Sequence, residues 1–249
     1  MGFGGGSLRK NIPPRLPLPS PLCFLSPSRL GIVHPEIFTA QAAAVAEAAL
    51  EVAAEGVPVK PRIMVPLVAT GDEMARVKAT VDAAVAGVLA EKGGGCGLDL
   101  KVGTMVELPR AALAAADLVA AGAAFFSVGS NDLTQCTLGF SRDDAEAHFL
   151  PVYLKLGVLP ADPFATLDVA GVGQLVSMAV ARGRSVDPDL EVGLCGEHGG
   201  DPASIAFCHG AGLSYVSCSP LRVPVARLAA AQAAIKAKAA AGGRDHCQD

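Results

Sequence analysis

Between residues 36 and 241 the apolar positions follow two alternating rhythms. Spacings of three and four residues predict helices, and short apolar runs between them predict buried strands. Over 71–89, Met74, Val77, Val81, Ala84 and Val88 share one helical face, and the glycines at 93–95 stop the helix. The full reading is helix 36–54, strand 63–67, helix 71–89, strand 100–108, helix 109–121, strand 125–128, helix 171–182, strand 192–195, helix 202–210, strand 215–218 and helix 224–241. The strands are too apolar to have a wet face. This βαβα order predicts an α/β fold, a parallel sheet covered by helices. Five strands suit either a doubly wound open sheet or part of an eight-stranded (β/α) barrel, and periodicity does not choose between them.

Residues 1–28 break the pattern. Glycines at 4–6, prolines at 13, 14, 17, 19, 21 and 27, three basic residues and no acid read as a disordered or transit-like leader. Two readings stand: an organelle transit peptide, hence a plastid address, or a leader without an address where the coding region was opened wrongly. The body is a single domain over 29–241, and 242–249 reads as a disordered tail.

Composition narrows the partners. Of 249 residues, 51% are apolar and 18% charged, but 45 are alanines, so the high hydropathy is not that of a membrane span. Uncharged stretches such as Leu118–Asn131 and Val169–Ala181 fall short of the roughly 18–20 residues that cross a bilayer, and no membrane partner is expected. Twenty basic and 24 acidic residues are scattered along the chain, which excludes a polybasic face for nucleic acid. Seven widely spaced cysteines without a CxxC or Cys/His pairing suit neither zinc nor a disulfide framework. A reducing compartment, cytoplasmic or plastid, is the expectation.

Polar chemistry gathers at three strand ends, where parallel α/β folds place their reacting groups. Gly-Thr-Met-Val-Glu-Leu-Pro-Arg (103–110) puts Glu107 at a strand tip and Arg110 one turn later. Phe-Phe-Ser-Val-Gly-Ser-Asn-Asp (125–132) follows Gly129 with Ser130, Asn131 and Asp132. Val-Gly-Leu-Cys-Gly-Glu-His-Gly-Gly (192–200) ends in Cys195, Glu197 and His198. Two carboxylates with an amide and a hydroxyl beside them make a hard-oxygen site suited to Mg²⁺ and an anionic ligand. The plainer alternative has Glu107 capping a helix and Asp132 closing an Asx-turn. His198 and Cys195 could form a thiol–imidazole pair, but a structural loop imidazole is the simpler reading, and more so for His148. Arg222, Arg227 and Arg142 with Asp143–Asp144 default to solvated or capping roles.

These three motifs resemble the carboxyl-terminal barrel of the phosphoenolpyruvate-utilising enzymes, from about Arg29 to Ile235, with Ile-Met-Val-Pro-Leu (63–67) matching a further barrel strand. The 137–163 segment and Tyr-Val-Ser-Cys-Ser-Pro-Leu-Arg-Val-Pro (215–224) resemble the dikinase branch of that family more than its synthase or sugar-phosphotransferase branches. The resemblance implies a partial (β/α)8 barrel, with Mg²⁺ as cofactor held by Glu107 and Asp132. It implies phosphoenolpyruvate or pyruvate bound by Glu107, Gly129, Ser130, Asn131 and Asp132, with Cys195 as the catalytic proton donor and acceptor at the methylene carbon. His198 is then a loop residue and not a base. The implied parent reaction interconverts ATP, phosphate and pyruvate with AMP, pyrophosphate and phosphoenolpyruvate.

The departures matter as much. No Thr-Ser-His phosphohistidine motif occurs, nothing in 1–28 resembles the family's phosphohistidine or nucleotide-binding domain, and the strands carrying its two phosphate-gripping arginines are missing. Arg110 does not simply replace them. Five of eight strands leave two open edges, so the expectation is a truncated product or an incomplete gene model, of marginal stability and without turnover alone. The competing function is a non-catalytic binding or dimerisation module, a homodimer through the barrel. A synthase-like enzyme, or a lyase with the same enolate chemistry, is a weaker third reading.

Overall fold

The structure, a computed structural model, describes residues 27–92 and 98–242. The leader up to residue 26, the glycines at 93–95 and most of the tail lie outside the described residues. The chain runs α1 (Pro27–Val33), α2 (Pro35–Ala54), β1 (Arg62–Val65), α3 (Gly71–Glu91), β2 (Lys101–Val106), α4 (Pro109–Leu113), α5 (Ala115–Ala120) and β3 (Phe125–Gly129). It continues through α6 (Ser130–Leu138), α7 (Arg142–His148), α8 (Leu150–Leu156), α9 (Val172–Arg184), β4 (Glu191–Cys195), α10 (Pro202–Gly210), β5 (Tyr215–Val216) and α11 (Val223–Gly242).

The five strands form one sheet in the order β1-β2-β3-β4-β5, every neighbouring pair parallel. That order resolves the ambiguity left by periodicity. Right-handed crossovers between strands that advance in one direction put every connecting helix on the same face. A doubly wound sheet would have to reverse its order. The winding is therefore that of a partial barrel, with helices outside and a second, inner face.

Alternation along the strands assigns the two faces. Val65, Val102, Val106, Phe126, Val128, Val192 and Leu194 are buried in one core with Met74, Val77 and Val81 of α3 and Val172, Val176 and Val180 of α9. The predicted stripe on α3 is buried at Met74, Val77, Val81 and Val88; Val85 completes it, and Ala84 packs at its margin. The other face carries Arg62, Phe125, Ser127, Glu191, Cys195 and Tyr215 by register. There Arg62 lies 5.3 Å above the Phe125 ring and 2.6 Å from Glu191, tying the first strand to the fourth across the concave side.

Local chemistry sets the element ends. Thr70 and Glu73 close a capping box on α3, with Glu73 N–H donating to Thr70 Oγ1 at 3.1 Å and Thr70 N–H to Glu73 Oε2 at 3.2 Å. The single helix predicted over 109–121 is two, α4 and α5, broken at Ala114 (φ −104°, ψ 19°). At the break the Leu113 carbonyl accepts the Arg182 guanidinium of α9. The 137–163 connection, not read as helical from its pattern, holds α7 and α8 around a small core of Ala145, Leu150 and Phe164, edged by Phe140 and Phe149 at 5.1 Å. Helix α1 begins inside the span assigned to the leader, and Ser28 is buried there.

Beside the edge strand β1 lies an apolar groove of about 620 Å³, lined by Ile37, Phe38, Val45, Ile63, Met64 and Val65 among others. Helix α2 is long and apolar enough to cross a membrane by length and composition. Its sequence carries Glu36, Glu47 and Glu51, and it buries Ala42, Ala46 and Ala49.

Candidate functional site

Because all strands are parallel, the ends of β2, β3 and β4 share one rim. The rim gathers Glu107, the loop Gly129–Asp132 and Cys195, as the sequence motifs predicted. Glu107 follows Val106, which faces the helices, and so turns to the inner side. It is 2% exposed, and its Oε1 accepts the Leu67 N–H at 2.7 Å. Leu67 is the one non-glycine residue among those described with positive φ (55°), a conformation that costs a leucine about 1 kcal/mol or more. Its N–H is held by Glu107, and its carbonyl accepts the Ser28 hydroxyl at 2.9 Å.

Gly129 is required where Glu107 lies against β3. A Cβ at that position would fall on Glu107 Oε2, so any side chain would displace the carboxylate. Asp132, in the first turn of α6, comes within hydrogen-bond reach of Glu107, and its Oδ1 accepts Gln135 Nε2 at 3.0 Å. Gln135 in turn accepts the Arg142 N–H at 2.8 Å, which anchors Asp132 through α6 to the start of α7. Burial, and then the charge and hydrogen bond of Asp132, push the Glu107 carboxyl up to about 7, although the Leu67 N–H pulls it down. Two carboxyl groups this close are not both comfortably ionised, so near neutrality they compete for a proton or share a cation.

Cys195 pairs in register with Gly129 and lies on the inner face. Its thiol is 3.5 Å from the Val128 carbonyl. Burial raises its pKa, the Ser127 hydroxyl pulls it down by hydrogen bonding, and Glu107 and Asp132 raise it further. The group therefore carries its proton at neutral pH. Sequence reasoning missed two neighbours. Tyr215, its pKa also raised by burial, lies near the same Ser127, so Tyr215, Ser127 and Cys195 share one part of the inner face. Gly193 leaves room for it, since a Cβ there would strike the Tyr215 ring. The signal was inward alternation on β3 and β5, which is visible only once the helix-facing set is known.

The remaining candidates separate clearly. Asn131 Oδ1 lies 3.5 Å from the Glu197 N–H, and Glu197 itself is exposed. Arg110 donates to the Ala69 carbonyl at 2.8 Å, tying two loops and not facing the ligand loop. His148 is exposed with Nδ1 2.9 Å from the Asp144 carbonyl, and Arg142 pairs with Glu146 at 2.9 Å. His198 is wholly buried in a 3-10 turn, Glu197–Gly200, away from the thiol. Ser130 is also wholly buried, its hydroxyl 2.8 Å from both the Cys195 carbonyl and His198 Nδ1. It thus offers a ligand its backbone, not its hydroxyl.

A divalent cation fits this donor set. Glu107 and Asp132 supply hard oxygens whose mutual repulsion a cation would relieve. Among the described residues no cluster of three or more His, Cys, Asp or Glu side chains suited to a metal occurs, so water and ligand oxygens would complete the shell, as Mg²⁺ prefers.

The winding is that of a partial parallel barrel with its polar residues on one rim. Residues 25–235 match the family described as PEP-utilising enzyme, PEP-binding domain, and the chain belongs to that family. It is 55% identical over 211 residues to "Pyruvate, phosphate dikinase" of Clostridium symbiosum, covering 84% of this chain and 24% of that protein. It is 53% identical over 216 residues to "Pyruvate, phosphate dikinase 1, chloroplastic" of Arabidopsis thaliana, covering 87% and 22%. The Rhizobium meliloti dikinase is 54% identical over 211 residues, covering 84% and 23%. The chain spans about a quarter of the length of these relatives.

Proposed function

We propose that this chain is the phosphoenolpyruvate/pyruvate half-site of a phosphotransferase of the dikinase type. The observation that carries the reading is the contact between two carboxyl groups, one buried and pushed up to about 7, on the same rim as an inward-facing protonated thiol. Glu107 and Asp132 would hold Mg²⁺. When bound, the ion neutralises negative charge on the oxygens of the three-carbon ligand.

The chain's own residues supply the rest. The leading N–H groups of α6 have no acceptor within the helix, and with Gly129 beside them they form a cradle for anionic oxygens. Asn131 borders the same loop. Cys195, holding its proton at neutral pH, donates it to the methylene carbon of the enolate left when a phosphoryl group departs, and takes it back in the reverse direction. Ser127 and Tyr215 are the polar neighbours of the thiol on the inner face. The relatives' names supply pyruvate as substrate class. An ATP, phosphate and pyruvate reaction would be that of a whole protein of the relatives' length, of which the chain spans about a quarter.

Calorimetric titration of oxalate, a planar enolate mimic, tests the reading. Binding should require Mg²⁺ and disappear in Glu107→Ala and Asp132→Ala. Equal binding in EDTA, or an unaffected Glu107→Ala variant, would leave only an interaction module of the same fold.

A further inference from the structure

His198 is a buried titratable side chain that the proposed mechanism leaves unused. His198 has no exposed surface, and both of its ring nitrogens have partners: Nδ1 is 2.8 Å from Ser130 Oγ, and Nε2 is 2.8 Å from the Pro163 carbonyl. A carbonyl only accepts, so Nε2 carries the proton. Burial keeps the ring neutral, which leaves a bare lone pair on Nδ1 for the Ser130 hydroxyl to donate to. The Cys195 carbonyl lies equally close to that hydroxyl and competes for its single hydrogen.

Geometry around the pair is built for this contact. Gly196 has φ +117°, and a Cβ there would lie 2.5 Å from Ser130 Oγ and 3.1 Å from Asn131 Oδ1. A Cβ on Gly199 would strike the Ser217 carbonyl. The glycines thus let the 3-10 turn press His198 between the ligand loop and the connection that returns from α8. Ser130 lies between Gly129 and Asn131, so whatever fixes its hydroxyl fixes the backbone that would cradle the ligand.

We infer that His198 is a positioning residue: by accepting the Ser130 hydroxyl while donating to the Pro163 carbonyl, it locks the Gly129–Asp132 loop into its ligand-binding shape. This rests on the half-site reading for its functional consequence, though not for the hydrogen bonds themselves. His198 touches no reacting atom. It acts through Ser130: without it the hydroxyl keeps only its contact with the Cys195 carbonyl, so the loop is tied to β4 alone and loses its tie to the Pro163 connection.

Two measurements on the full chain test it. Long-range ¹H–¹⁵N NMR of the histidine rings should show His198 as the Nε2–H form, with an Nδ1 resonance that moves in Ser130→Ala. A protonated Nδ1, or no movement, overturns the lock whether or not the chain binds ligand. Oxalate titration with Mg²⁺ supplies the second readout, at temperatures where circular dichroism shows each variant folded. His198→Phe keeps volume but makes no hydrogen bond, and should bind oxalate about tenfold more weakly. His198→Asn keeps an acceptor for Ser130 and should bind within about threefold of the parent. Unchanged affinity in His198→Phe, or equal losses in the two variants, overturns the proposal. If His198→Phe does not fold, the parent–Asn comparison and the NMR shift decide. If the parent chain binds no oxalate, the half-site reading fails and the NMR result alone judges the lock.

Discussion

Replacing Glu107 by glutamine should stabilise the metal-free chain above neutral pH, although it removes a group central to the proposed site. A carboxyl raised from 4.5 to about 7 in the folded state holds its proton more tightly there than in the unfolded chain. Its contribution to stability is fully present below 4.5 and is lost as pH rises through about 7. At 1.36 kcal/mol per unit the loss at pH 8 is about 3 kcal/mol, and at pH 5 it is below about 1 kcal/mol. Glutamine keeps an acceptor for the Leu67 N–H and is neutral at every pH. Urea unfolding in EDTA should therefore find Glu107→Gln more stable than the parent by about 1–3 kcal/mol at pH 8, with the gap shrinking at pH 5. Adding Mg²⁺ at pH 8 should raise the parent and leave the variant unchanged. A variant less stable than the parent at pH 8, or a gap independent of pH, would refute the claim that Glu107 is held in an unfavourable charged state awaiting a cation.

Three other outcomes follow from the packing. Gly129→Ala should push the Glu107 carboxylate from its place, abolishing the Mg²⁺ stabilisation at pH 8 and costing about 1–3 kcal/mol in urea unfolding. Cys195→Ser should keep Mg²⁺-dependent oxalate affinity within about threefold while slowing deuterium exchange into the pyruvate methyl group, followed by NMR, by about a hundredfold or more. Thr70→Ala breaks the capping box of α3 and should cost about 1 kcal/mol without changing oxalate affinity.

The parts legible in the sequence are those where one physical constraint dominates. Strand cores such as Val192–Leu194 are apolar runs bounded by turn residues, Asp187–Asp189 before and Gly196 after, and helix α10 has Pro202 at its start, so their placement is nearly fixed by local pattern. Glu107 stood out because a strand tip in an apolar context has few reasons to carry acid, and Asp132 because it follows closely on the end of the next strand. The break at Ala114 was hidden, because the run of alanines around it carries no local stop signal. Helices α7 and α8 were hidden by glycine and proline punctuation around a core too small to show a period. Tyr215 and Ser127 looked like ordinary strand residues until the sheet order separated inner from outer faces. His198 was read as a loop imidazole, and only burial beside Ser130 and Pro163 distinguished it from a solvated one.

The most direct test of the central claim is anomalous diffraction from crystals of the chain soaked with Mn²⁺ and oxalate. The account predicts one strong metal peak in inner-sphere contact with both Glu107 and Asp132, with oxalate on the metal and facing the Cys195 thiol. A peak on other residues, or a metal that touches only one of the two carboxylates, would contradict it.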